Sequence, residues 1–447
     1  MSTLTSLRRP PAATLDSLLT SLPQLRISPL PWINTLRAEA SDSLADLPLP
    51  TLRDEEWRFT DLSAMTRLSF AAALNASPLV AADVAHFYIE EATTRLVFVD
   101  GIYAPYLSSP AADSGVLVYN LQLALSTRAA AIEATIAAHL GRHATFKNKV
   151  FTALNTASLN AVAVIVLPRD VVLATPVHLL FIATQKEVVS MPRCLVIAES
   201  GSTVTVIEDF VVHYQPRWQE EAHFTNAVTE IALADNARVN HIRIQREGSK
   251  AFHLAECAVS VGRASNYQSV SVTLGAQISR YDLNVVLAEG AECAVDGLAL
   301  IAANQLADTH TSIDHAQPHG ISRQLHKCIV AGSAHAVFNG KIMVRQGAQH
   351  TNSNQSSRNL LLSGKAHVDT KPQLEIFADD VKCAHGATIG QLDSEEVFYL
   401  NSRGLSTSAA RKLLTCAFAA EIIERIPVAS LKHQLEQMVL AQTGGQS

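Results

Sequence analysis

Glu289-Gly-Ala-Glu-Cys-Ala-Val295 is a small turn followed by a short alternation of polar and apolar residues. The unit returns along the chain. It reads Glu199-Ser-Gly-Ser-Thr-Val-Thr-Val206, Ala234-Asp-Asn-Ala-Arg-Val-Asn240, Ala331-Gly-Ser-Ala-His-Ala-Val337, Arg345-Gln-Gly-Ala-Gln-His350 and Ser363-Gly-Lys-Ala-His-Val368. From about residue 193 to 392 helical periodicity disappears and these turns separate short apolar alternations. Glycine and asparagine supply backbone conformations that other residues resist, and alternation puts one face of each strand inward. A degenerate repeat of turn and strand predicts a mainly β fold, a parallel β-helix or related solenoid. A β-sandwich is the alternative, and so long a run without a helix is more than one sandwich of roughly 100 residues uses.

The flanks have a different texture. Residues 13–47 read as helical, with Leu15, Leu18, Leu19 and Leu22 at three- to four-residue spacing and Pro23, Pro29 and Pro31 as punctuation. Glu55-Glu56-Trp57-Arg58-Phe59-Thr60 reads as a packed loop that anchors this arm on the body. Arg95–Tyr103 reads as strand, Asp-Gly turn and strand; Thr127–Leu140 as an Ala-rich helix ending at Gly141; and Asn160–Leu167 and Val171–Ile182 as two strands. Ser406 or Thr407 caps a helix over about 408–426 whose stripe is Ala410, Leu413, Leu414, Ala417, Phe418, Ile422 and Ile426. Pro427 stops it, and a second helix carries Leu431, Leu435, Met438 and Val439. These faces either dock on the β body or meet another protein. The expected organisation is a helical and mixed α/β region over 1–190, a β-helix core over 191–400 and a helical region over 401–447.

A chain of 447 residues with 48% apolar composition supports a sizeable core. Net charge is −6 with no basic block, so nucleic acid is a poor partner. No stretch approaches the ~18 apolar residues that span a membrane, and Arg8-Arg9 leads into prolines, so no secretory signal is expected. Six cysteines form no C-x-x-C pair, which argues against a structural zinc site and a disulfide framework. The phosphate loop G-x-x-x-x-G-K-[ST], the G-x-S-x-G elbow and H-E-x-x-H are absent from the sequence.

Two stretches carry candidate chemistry. Asp308-Thr-His310, Asp314-His315, His319, His326 and Cys328 form a histidine cluster, which in a solenoid reads as polar ladders before it reads as a metal site. Phe377-Ala-Asp-Asp-Val-Lys-Cys-Ala-His-Gly-Ala-Thr-Ile-Gly390 puts Cys383 and His385 two residues apart, on one face if the segment is a strand. Thiolate and imidazole both ligate iron in iron–sulfur sites. A cluster takes about four ligands and this edge offers two, so a second chain would have to supply the rest. The competing enzyme reading is a carbohydrate-active β-helix built on Glu375, Asp379 and Asp380, and a third is a metal-free homodimeric adaptor.

The stretch 377–390, with Phe398-Tyr-Leu-Asn-Ser-Arg-Gly404, Phe338-Asn-Gly-Lys-Ile342, Arg358-Asn-Leu-Leu-Leu362 and Glu56-Trp57-Arg58-Phe59-Thr60, resembles the SufB/SufD family of iron–sulfur cluster assembly proteins. SufB-type chains carry His-Glu-Ala-Thr where this sequence has His385-Gly386-Ala-Thr388, and a further cysteine that 365–377 lacks, so the resemblance is to the SufD side. The resemblance implies a right-handed parallel β-helix between two helical parts. It implies a non-catalytic scaffold in a SufBCD complex, in the cytoplasm or in the plastid of a plant or alga. Pairing with SufB would run through the end of the β-helix, with a homodimer for the isolated chain. The ABC-type ATPase SufC, which binds the ATP, would dock on the C-terminal helices, where Leu414, Phe418 and Ile422 are the residues expected to meet it. It also implies that His385, with Cys383 less firmly, contributes to a transient iron–sulfur site shared with SufB. No cofactor is expected to stay bound to this chain alone.

Overall fold

The computed structural model describes residues 15–21, 27–109, 116–126, 130–160, 162–213 and 221–444. Arg8-Arg9, Leu22, Pro23 and the first residues of the 127–140 segment lie outside them. Thirteen strands wind in two parallel stacks: β1 Thr203–Val212, β2 Phe224–Leu233, β3 Arg238–Arg246, β4 Phe252–Val261, β5 Asn266–Thr273, β6 Ile278–Leu287, β7 Glu292–Ile301, β8 Leu306–His315, β9 Ile321–Val330, β10 His335–Val344, β11 Asn352–Leu361, β12 His367–Ile376 and β13 Lys382–Gly390. Odd strands pair with odd and even with even, so each pair of consecutive strands is one turn of a β-solenoid. The register runs straight: Glu292 faces Ile321, which faces Asn352, which faces Lys382.

The turn units predicted from the sequence build the corners. Gly201, Asn236, Ala264, Gly290, His319 and His350 all adopt positive φ at the corner before an odd strand. Only glycine adopts that conformation without steric cost. The others are held there because their N–H groups donate to the next turn: Asn236 to Arg263, Ala264 to Glu289, His319 to Gln349 and His350 to Asp380. At the opposite corner Gly332 has φ +65°, and a Cβ on it would lie 2.8 Å from the backbone nitrogen of Ala303.

The same two sheets continue into the N-terminal part. Thr94–Val99 and Val177–Ala183 extend the odd sheet, and Val162–Leu167 and Arg193–Ala198 extend the even one. The Asp100-Gly101 hairpin forms as read. Two local readings change. Residues 13–47 are not one helical stretch: Leu15–Leu18 is a single turn, Leu19–Ser21 is a strand alongside Phe70–Ala72, and the helix proper is Pro31–Ala45. Pro31 opens that helix, where its missing N–H costs nothing. The strand read over Val171–Ile182 begins only at Val177, because Pro176 cannot donate to the ladder.

Three helices close the chain: α1 Ser394–Ser402, α2 Thr407–Ile423 and α3 Ala429–Gly444. The Ser406 side chain caps α2 through the Ala409 N–H. Ala419, Ile422, Ile423 and Ile426 of the α2 segment and Leu431, Leu435 and Val439 of α3 bury against Ile242, Ile244, Val270, Val272, Leu298, Leu300 and Ile329 on the outer face of the odd sheet. Each such aliphatic side chain stabilises the contact by about 1.5–3 kcal/mol. Sequence reasoning missed α1. It buries no residue, so no apolar stripe marks it.

Candidate functional site

β13 is the last strand of the odd sheet and, among the described residues, pairs only with β11. Cys383 faces Ser353 and His385 faces Gln355 in register. Both belong to the row that points between the sheets, as the alternation predicts. Cys383 is half-buried against Ile342, Val344 and Ala348. Burial raises its thiol, and a hydrogen bond with the Ser353 backbone opposes that rise. His385 is exposed, because no further turn covers it. It ends a polar interior row in which Gln355 Nε2 donates to Gln324 Oε1 at 2.8 Å. A Cβ at Gly386 would meet nothing within 4 Å, so this glycine answers no steric demand of the fold.

From the loop before β13 to the helix α1 after it, the chain leaves apolar side chains uncovered. Phe377 is 63% exposed, Ile389 48% and, on α1, Phe398 73% and Tyr399 56%. An open parallel edge with such residues beside it is a template for another chain.

The predicted docking residues separate. Ile422 is fully buried under α2 and faces the sheet. Leu414 and Phe418 are half-buried, and Phe418 packs against the apolar layer between helix and sheet with the ammonium of Lys327 4.1 Å from its ring centre. Lys327 also donates to the Phe418 carbonyl at 2.9 Å and pairs with Glu421, while Arg425 pairs with Asp296 at 2.7 Å. Leu413, from the predicted stripe, is half exposed.

The histidine cluster does not converge. His310 stands on the outer face of the even sheet between Asp308 at 2.9 Å and Glu56 at 3.1 Å. Burial alone would lower it, but these carboxylates raise it to about 9. His315 points inward to Ser322 and burial pushes it down to about 4. His326 stacks on Phe338 with 4.6 Å between ring centres, and burial pushes it down to about 3. Burial also pushes the Cys328 thiol up to about 12. His319 stacks on His350, one turn further along, as a ladder. Glu375, Asp379 and Asp380 are likewise separate, held by Lys341, Gln349 and His350. The Glu55–Thr60 loop is the anchor expected: Arg280 lies over Trp57, Thr60 donates to Asp308, and Lys371 pairs with Glu55.

Residues 181–418 match the family described as SUF system FeS cluster assembly, SufBD core domain, and residues 23–179 match the SufBD protein N-terminal region. The chain belongs to the SufBD family of iron–sulfur cluster assembly proteins. An iron–sulfur cluster assembly SufBD family protein of Synechocystis is 44% identical over 418 residues, covering 91% of this chain and 90% of that protein. The iron–sulfur cluster assembly protein SufD of Escherichia coli is 34% identical, covering 89% of each. The chloroplastic protein ABCI7 of Arabidopsis thaliana is 30% identical, covering 95% of this chain and 89% of that protein. Among the described residues no helix is long and apolar enough to cross a membrane.

Proposed function

We propose that this SufBD-family chain is the SufD-type scaffold of a cluster assembly complex, and that its open end pairs with a SufB subunit. The observation that carries the reading is the free edge of β13, with Phe377 and Ile389 exposed beside it and Phe398 and Tyr399 exposed on the α1 helix that follows. A partner solenoid docking there would extend both sheets and bury these side chains. His385 would then stand at the junction with Cys383 beside it. Two donors on this chain and the remainder on SufB complete the roughly four that a cluster takes. The cluster is cargo, assembled and passed on. The SufC ATPase would sit over the flank of α2, meeting the half-buried Leu414 and Phe418, with Ile422 supporting them from the buried face.

Coexpression with SufB tests the pairing. The wild-type chain should elute as a heterodimer, and Phe377→Asp combined with Ile389→Asp should leave two separate folded chains. An unchanged heterodimer in that double variant overturns the assignment of this edge. Homodimers that persist in the presence of SufB would favour the adaptor reading.

A further inference from the structure

A second group of ligands lies away from the Cys383–His385 edge. His335 opens β10, His367 opens β12, and the two are register partners. Asp369 follows His367 by two residues, so all three stand on the outer face of the even sheet. Both Nε2 atoms converge on one carboxylate oxygen, His335 at 2.7 Å and His367 at 3.2 Å from Asp369 Oδ2. The ring centres are 5.0 Å apart, and the three ligand atoms lie within 4.8 Å of one another. His335 and Asp369 are each 28% exposed and His367 66%, so solvent reaches the group.

The contrast with His310 on the same face is informative. There Arg280 donates to Asp308, so a fixed cation already neutralises the carboxylate. Among the described residues no Arg or Lys pairs with Asp369, and Lys371 beside it is taken by Glu55. The charge of Asp369 is met only by the two imidazoles. Phe59 closes one side, edge-on to His335 with 6.3 Å between ring centres. On another side Asp369 lines a cavity of about 360 Å³ together with Asp308, His310 and Asn339.

We propose that His335, His367 and Asp369 bind a divalent first-row transition metal. Two imidazoles and a carboxylate suit such ions, and three protein donors leave positions free for water or a further ligand. The ion would replace protons between groups already in contact, with bonds of about 2.0–2.2 Å. None of its three donors belongs to β13, and all three are on this chain.

The probe is Co²⁺, titrated into the untagged full-length chain carrying Cys383→Ser and His385→Ala, followed by visible absorption and by calorimetry. One equivalent should bind with d–d bands in the visible. His367→Ala and Asp369→Asn, added singly to that chain, should each weaken binding by at least about tenfold. Thermal melting of both variants should match the parent, since both residues are at the surface. No binding to the parent chain, or binding that neither substitution changes, overturns the proposal.

Discussion

Every residue of β2 is buried, whereas β13 has one half-buried residue, Cys383, among eight exposed ones. Both are strands of one repeat, but only the first has covering on both sides. At the first end, helices and loops of the N-terminal part cover the sheet. Arg193 and Glu230 form a buried pair at 2.6 Å, and Glu230 also accepts from the N–H groups of Gly141, His143 and Ala144. Glu208 is buried too. Burial would raise it, but the His241 hydrogen bond and charge hold it at about 2. At the last end the interior row simply stops. A solenoid closed at one end and open at the other is a complete fold with an unfinished surface, and the candidate ligands Cys383 and His385 lie on that surface.

Substitutions should respect this asymmetry. Glu230→Ala strands Arg193 in the closed end and should cost about 3–5 kcal/mol in denaturant unfolding. Leu431→Ala, under α3, should cost about 2–5 kcal/mol by the same measurement.

Acid should act through the interior. An unfolded histidine titrates near 6.5. Because the folded values of His315 and His326 are depressed to about 4 and about 3, their contribution is present above 6.5 and lost as pH falls through those values. Stability should decline by about 1.4 kcal/mol per pH unit for each group below 6.5, and His326→Phe should remove one group's share of that slope. His310 has the opposite sign. Raised to about 9, it contributes below 6.5 and its contribution disappears as pH rises through 9. His310→Gln should flatten stability between pH 7 and 9.5.

The smallest stability effect belongs to the open end. Phe377→Asp should change the isolated chain by no more than about 0.5 kcal/mol. On α2, Leu414→Glu with Phe418→Glu should abolish capture of SufC while circular dichroism of the chain is unchanged. Retained capture would remove this face from the contact.

Much of the fold was legible because the corners are. A turn that needs positive φ leaves its mark in Gly201, Asn236 and Gly290, and the alternation after it fixes which side chains point inward. The pairing of Cys383 and His385 on one face was legible for the same reason. The triad of His335, His367 and Asp369 was not, since its members are brought together only by register across a full turn. α1 was illegible because Phe398 and Tyr399 face solvent, leaving no buried stripe to betray a helix. The histidine cluster follows the ladder reading rather than the metal one: residues close in sequence are sent to the outer face, the interior and a corner, where His319 stacks on His350.

The most direct test replaces His385 by alanine in the purified complex of this chain with SufB and SufC, and measures cluster formation by absorption after supply of iron and sulfide. The account predicts an intact complex with little or no cluster. Wild-type cluster yield from that complex would contradict it.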